Sequence, residues 1–271
     1  MCVVASPDSP ERRKEDSLTE LRDALAGMAT PPPRDLMPAT LVEAGIADGF
    51  IEVVGPTGPL IVAFNPRGVS EVAPRSSDAR FVRQFTDRTA RPVFPVADMP
   101  VDLRRPLERA LATGRLGRLP LDLRGQTEFQ RVVLETVATI PPGEVRPYGW
   151  VARQVGRNSA YRAVGSAVAQ NPVPVLVPCH RVVKSDGHIG SYRFGPAMKQ
   201  RLLEFEGLQP RTLDTLADEG KVLVGNDRSR IVCFPTCSRG RRISDADRAW
   251  FRNTKAATAA GYEACSKCQP Y

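Results

Sequence analysis

Four of the six cysteines in this 271-residue chain fall within 36 residues near its end, as Cys233-x3-Cys237 and Cys265-x2-Cys268 with 27 residues between the pairs. Paired cysteines at these gaps suit a tetrahedral zinc site of four thiolates, which forces the chain between them into a small closed module. His188 lies too far upstream to be needed. A disulfide framework is the rival reading. It is weak here because "MCVVASPDSPERRKEDS" lacks the long apolar core of a signal peptide, which points to a reducing compartment. Between the pairs the sequence predicts a basic turn, a short strand at "RAWF" and a small helix ending at Gly261.

A fifth cysteine stands in Pro178-Cys179-His180-Arg181-Val182, directly after the apolar run "PVPVLV". That run predicts a short buried strand meeting a turn, so the cysteine is held in place. A thiol becomes a strong nucleophile only as thiolate, with a base or cation beside it, and His180 is one of two histidines in the chain. Adjacent side chains on a strand point to opposite faces, so His180 would act through the turn geometry or a bridging water. The competing reading makes Cys179 a small buried hydrophobe. Upstream, "YGWVARQVGRNSAYRAVGSAVAQN" predicts two helices around a tight turn at Gly156-Arg157-Asn158. Gly156 serves as C-cap, Asn158 or Ser159 as N-cap, and Ala152, Val155, Ala163, Val164 and Ala167 form the apolar stripe. This is a helix-turn-helix pattern. The small residues of the second helix permit close approach to a groove.

From Thr127 to Gly207 these pieces stand in one order: "TEFQRVV", "IPPGEV", Tyr148, "YRAVGSAVAQNPVPVLVPCHRVV", "GSY" and "KQRLLEFEG". The segment resembles the C-terminal domain of the O6-alkylguanine-DNA alkyltransferases. The resemblance implies that Cys179 takes the alkyl group from a guanine flipped out of double-stranded DNA and is not regenerated, with no cofactor for the transfer. It implies His180 as base through a water and Glu206 as its orienter. Tyr148 protonates the leaving guanine, Lys199 lies near the pocket, and Asn171 braces the turn into the active-site segment. The resemblance further implies that the second helix enters the minor groove, with Arg162 filling the gap left by the flipped base and Ser159 and Tyr161 beside it. The pocket is formed by the backbone around Val182 and by Ser191, Tyr192, Arg193 and Phe194. The chain departs from the family at two sites. Tyr161 stands where a small residue is usual. Arg193-Phe194 replace a serine and a glycine, which predicts a narrowed pocket favouring methyl over benzyl-type groups.

The tail, "KVLVGNDRSRIVCFPTC…AAGYEACSKCQP", resembles the metal-binding domain of the adaptive-response (Ada) family, in which the first of four zinc-bound cysteines accepts methyl from phosphotriesters. Carried over, that residue is Cys233, a candidate second methyl acceptor. The reading preferred is a zinc-stabilised DNA-binding module. The order of the two parts is the reverse of that in Ada, and no activating helix-turn-helix domain lies between them. Methylation-triggered gene activation by this chain alone is therefore not expected.

The front half carries no motif of its own. Residues 1–16 read as disordered, "SLTELRDALAGMA" as a short helix capped by Ser17, and "TPPPRDLMP" as a stiff linker. "GFIEVVGPTGPLIVAFNP" predicts two strands around a turn, and "DARFVRQFTD" and "PLERALATG" predict helices. The fold class expected is mixed α+β. A leader occupies 1–47, a sheet-plus-helix scaffold 48–122, a helical catalytic and DNA-binding domain 123–210, and the four-cysteine zinc module 219–271. A net charge of +8 suits a polyanion partner, and beyond Asn226 nine Lys and Arg face four Asp and Glu. No apolar run of 18 residues exists, so no membrane span is expected. The chain is read as a cytoplasmic monomer. Three functions are weighed. The first is a single-turnover alkyltransferase, the second a lesion-binding protein without chemistry, and the third a methylation-sensing regulator. The presence of Cys179 favours the first.

Overall fold

The computed structural model describes residues 36–271, and the helix and disorder expected before that lie outside the described residues. The first element is helix α1, Leu36–Glu43, so the final residues of the expected linker, Leu36 to Pro38, are helical instead. Strands β1 (Asp48–Gly55) and β2 (Gly58–Asn65) pair antiparallel across the predicted Gly/Pro turn. A third strand, β3 (Gly68–Pro74), completes the hairpin series, and β4 (Val93–Pro95) joins β1 in parallel, giving the order β3-β2-β1-β4. Strand β3 escapes the sequence pattern because its first five residues are all buried, which removes the inside–outside alternation.

Helix α2 (Asp78–Thr89) lays Phe81 and Phe85 against Phe50, Ile61 and Ala63 on one face of the sheet. Helix α3 (Val101–Thr113) contributes Leu103, Leu107, Ala110 and Leu111 to the main core. A buried polar network fastens this sheet to the chain that follows. The Asn65 amide donates to Asp48 (2.8 Å) and to Asp122 (2.7 Å), and the Asp48 oxygens also accept from Ser70 and Arg91. Arg124 closes onto Asp122 from outside.

The second half starts with α4 (Glu128–Ala138). A capping box opens it: the Thr127 hydroxyl accepts from the Gln130 amide, and the Gln130 side chain accepts from the Thr127 amide. Strand β5 (Arg146–Pro147) runs into α5 (Tyr148–Gln154), and α6 (Tyr161–Ala169) follows a turn in which Gly156 takes φ +69°. The two-helix pattern holds, with two corrections. Ala160, not Asn158 or Ser159, occupies the N-cap of α6 and no side chain caps it, because the Ala160 amide closes a turn onto the Arg157 carbonyl and the helix starts only at Tyr161. Ala163, expected in the stripe, is exposed, whereas Val164, Ala167 and Val168 are buried.

The segment expected to be a strand before Cys179 is a buried irregular loop. Asn171 organises it: the side-chain amide donates to the Val177 carbonyl (2.8 Å), and its oxygen accepts from the Val173 amide (3.0 Å). These bonds take up the backbone groups that a sheet partner would otherwise use. A 3-10 turn, Cys179–Arg181, leads into β6 (Val182–Val183), which pairs in parallel with β5. Helices α7 (Pro196–Phe205) and α8 (Pro210–Asp218) follow. Leu202 and Leu203 of α7 face inward, whereas Phe205 is 50% exposed. The chain ends in a small sheet of order β10-β8-β7-β9, from β7 (Leu223–Asn226), β8 (Ile231–Cys233), β9 (Arg248–Phe251, the predicted "RAWF" strand) and β10 (Glu263–Ala264). Helix α9 (Thr254–Ala259) precedes Gly261, which takes φ +78°. Among the described residues no helix is long and apolar enough to cross a membrane.

Removing the central donor of the polar network tests what it contributes. Asn65→Ala leaves two buried carboxylates short of a partner, and urea unfolding should show a loss of about 2–3 kcal/mol with an unchanged m-value.

Candidate active site and metal centre

Cys179 opens the 3-10 turn with its side chain buried, 4% exposed. The loop behind it is strained: Val175 sits at φ +76°, a conformation a β-branched residue adopts only when its surroundings impose it. Burial pushes the Cys179 thiol above its ordinary pKa, while the Asn171 side chain, the Tyr192 hydroxyl and the Lys199 charge pull the other way. At rest the thiol is protonated, and turning it into a nucleophile requires a base.

His180 is the adjacent group able to accept a proton. Because it follows Cys179 in a 3-10 turn rather than a strand, the two side chains need not diverge to opposite faces. The Nε2 of His180 lies 2.8 Å from Glu206 Oε1. Glu206 is held to about 2: burial works to raise it, but hydrogen bonds from His180 and Arg181 outweigh that. A carboxylate only accepts, so Nε2 carries the hydrogen and Nδ1 is left as the basic lone pair. Nδ1 is buried without a partner among protein atoms. Burial lowers the His180 pKa, against the pull of Glu206, which keeps the ring neutral and able to take a proton.

Arg181, which sequence reasoning left without a role, holds this arrangement. Its guanidinium is buried and donates to Glu206 Oε1 (2.6 Å), to the Ile140 carbonyl (2.5 Å) and to the Gly114 carbonyl (2.6 Å). The backbone amide of Gly143 donates to the second Glu206 oxygen (3.1 Å). The available signal was an arginine inside the cysteine motif, with a carboxylate waiting at the end of the following amphipathic helix. Glu206 and Lys199 are therefore not solvated charges of that helix. The ammonium of Lys199 donates to the carbonyls of Val182 (2.7 Å) and Ser191 (3.4 Å), and burial brings it down to about 8.

Tyr148 stands at the start of α5 with its phenol raised by burial and by the neighbouring Cys179. Tyr192 lies edge-on to His180, ring centroids 6.4 Å apart, and Phe194 lies edge-on to Tyr192 at 5.8 Å. Arg193 does not turn into this site. It donates to the Asn171 carbonyl (3.0 Å) and lines a cavity of about 630 Å3 shared with Glu71, Arg75, Arg80 and Arg88 of the sheet domain. Cys179, His180, Glu206, Tyr148, Asn171, Lys199, Val182 and Tyr192 thus converge, and Ser191 contributes its carbonyl.

Ser159, Tyr161 and Arg162 lie apart on the exposed face of the helix pair, and the Arg162 guanidinium sits 5.8 Å from the Tyr161 ring centre. Gly165 occupies the same helix, and a Cβ built on it would meet nothing within 4 Å. The fold itself does not require glycine there.

The sulfurs of Cys233, Cys237, Cys265 and Cys268 lie within 4.8 Å of one another, all buried. Four thiolates at 2.3 Å from Zn2+ stand about 3.8 Å apart, so small rotations complete a tetrahedron. The thiols share hydrogen bonds: those from Cys233 and Cys268 drive the Cys237 thiol down, while the bonds to Cys237 and Cys268 drive Cys233 up. Two backbone knuckles hold the set: the Cys237 amide donates to Phe234 O, and the Gln269 amide donates to Cys265 O (2.8 Å). Cys233 is 1% exposed, out of reach of a phosphate in this conformation.

Residues 128–208 match the family model described as the 6-O-methylguanine DNA methyltransferase DNA-binding domain, and residues 212–271 match the metal-binding domain of Ada. The bifunctional transcriptional activator/DNA repair enzyme Ada of Escherichia coli is 36% identical over 156 residues, 55% of this chain and 42% of that protein. A methylated-DNA–protein-cysteine methyltransferase of Mycobacterium leprae is 48% identical over 100 residues, 37% of this chain and 60% of the relative. The chain thus spans roughly half the length of such curated relatives. The Mycobacterium tuberculosis OGT in complex with DNA aligns at a TM-score of 0.47 and 32% identity, over 59% of this chain and 93% of that one. The four-cysteine cluster of the Ada-type domain is a structural zinc site.

The Glu206 carboxylate dates its own contribution on the pH axis. Its folded value near 2 lies below the ordinary 4.5, so its stabilisation is complete above about pH 4.5 and lost as pH falls towards 2. The difference in urea midpoint between wild type and Glu206→Gln should be largest at pH 7 and shrink through that window.

Proposed function

With residues 128–208 belonging to the O6-methylguanine-DNA methyltransferase DNA-binding-domain family and the tail to the Ada metal-binding-domain family, we propose that this chain repairs alkylated DNA by irreversible alkyl transfer from O6-alkylguanine to Cys179. The observation that carries the reading is a buried, protonated Cys179 thiol followed in the same 3-10 turn by a neutral His180 whose tautomer is dictated by the Glu206 carboxylate.

The chemistry balances on these residues. His180 Nδ1 takes the thiol proton by way of a water. The Cys179 sulfur then attacks the alkyl carbon, an S–C bond forms and the C–O6 bond breaks. The departing guanine carries the negative charge, and the Tyr148 phenol supplies its proton. The Val182 and Ser191 carbonyls, both bonded to Lys199, stand where a base edge enters, and the target is brought there by flipping from the duplex minor groove. Transfer needs no cofactor. The zinc site holds the tail and assists binding to DNA. We take residues 48–122 as scaffold, 123–210 as the reacting domain and the tail from about 219 as the zinc module, working as a monomer in the cytoplasm. Arg193 bonds away from the thiol, so a preference for methyl groups would arise from how it anchors the Asn171 loop rather than from its bulk in the pocket.

Incubation with a duplex carrying one O6-methylguanine, followed by peptide mass spectrometry, should place one methyl group on the Cys179 peptide and none after Cys179→Ala. An unmodified Cys179 with tight binding to the same duplex would leave a lesion-recognition protein instead. The open side of α6 adds a second expectation. Gly165→Leu should leave the thermal midpoint unchanged or raised, since glycine is the poorer helix former, yet weaken duplex binding by about tenfold or more.

A further inference from the structure

The zinc module does not hang from the rest of the chain. Both of its cysteine knuckles grip one short stretch, residues 144–154, of the preceding domain. From the first knuckle, the Thr236 hydroxyl accepts from the Val145 amide (2.9 Å), and the Ser238 amide donates to Glu144 (3.2 Å). From the second, the Cys268 carbonyl accepts from the Trp150 indole (2.9 Å), and the Pro270 carbonyl accepts from Arg153 (2.7 Å). Between them the Arg146 guanidinium is sandwiched by the Trp150 and Phe234 rings, 5.7 and 5.2 Å from their centres, and is ion-paired to buried Glu144.

That stretch contains what the active site and the exposed helix depend on. Arg146 and Pro147 form β5, which pairs with β6 immediately after the Cys179 turn. Tyr148 lies between Arg146 and Trp150. Helix α5 packs on α6, which carries Tyr161 and Arg162. The backbone direction of a knuckle is set by where its two sulfurs must point, and that is decided by whether they converge on a cation.

We propose that zinc occupancy in the tail sets the position of residues 144–154, and through them of Tyr148 and α6, with Trp150 as the positioning residue that transmits it. The consequence for alkyl transfer rests on the function proposed above, whereas the mechanical coupling does not. The linkage is reciprocal: whatever steadies α5 and α6 must also slow the loss of zinc.

Amide hydrogen exchange of the full chain, zinc-loaded and after chelation, tests it. Chelation should speed exchange in residues 145–155 by about tenfold or more while strands β1 to β3 keep their protection. Trp150→Phe preserves the apolar contact but removes the indole donor. With zinc still bound it should show the same loosening of 148–155, faster zinc release to a colorimetric chelator, and slower methyl transfer to Cys179. Unchanged exchange over 145–155 on chelation would overturn the coupling, as would equal loosening of β1 to β3, which would mean unfolding of the whole chain. Exchange and zinc release in the variant indistinguishable from wild type would overturn the role of Trp150. A chain that couples as described but never methylates Cys179 would instead sink the functional reading and leave the coupling standing.

Discussion

A guanidinium buried without water must place every donor, and the geometry around Arg181 follows from that demand. Its partners come from three separate places: the end of α3 at Gly114, the end of α4 at Ile140, and Glu206 just after α7. Holding all three fixes where Glu206 stands. Glu206 in turn fixes which nitrogen of His180 bears hydrogen, and the histidine fixes which lone pair can serve the neighbouring cysteine. Gly114 is needed for the same reason: it takes φ +64°, and a Cβ there would come within 2.8 Å of the guanidinium.

The parts that could be read from the chain were those whose chemistry is local. Four cysteines in two close pairs announce their convergence by spacing, and the "RAWF" strand and the Gly156 turn follow from residue type alone. The mixed α+β architecture was legible in the same way. What stayed hidden depends on contacts distant in sequence. Strand β3 has no alternation because it is covered on both sides. The "PVPVLV" run looks like a strand, but Asn171 absorbs the backbone bonds a partner strand would have made. Lys199 lies on a helix and Glu206 at its end, and the sequence there does not reveal the carbonyls and the Arg181 guanidinium that bury them. Arg193 looked like bulk in a pocket because its partner, the Asn171 carbonyl, is 22 residues away.

Within the scaffold, the sheet is tied to the loop before α4 by buried polar groups as well as by apolar surface. Asp48, Asn65 and Asp122 are drawn from β1, β2 and the loop before α4, and the Asn65 amide bridges the two carboxylates. Such a network specifies one docking arrangement, because any slip leaves a buried carboxylate unpaired. The zinc module repeats the device at the other side, with Thr236, Ser238 and Cys268 supplying the polar contacts.

Under the proposed function Cys179 is spent only once, so it has to survive until it is wanted. At 4% exposure, and with its thiol pushed above the ordinary range, Cys179 is a poor target for peroxide, for disulfide exchange and for stray electrophiles, all of which prefer an exposed thiolate. The same burial that makes the group unreactive at rest gives it a long shelf life, and its reactivity is released only in the company of a molecule that fits beside it. The number of undamaged chains in a cell would then count remaining doses rather than elapsed time.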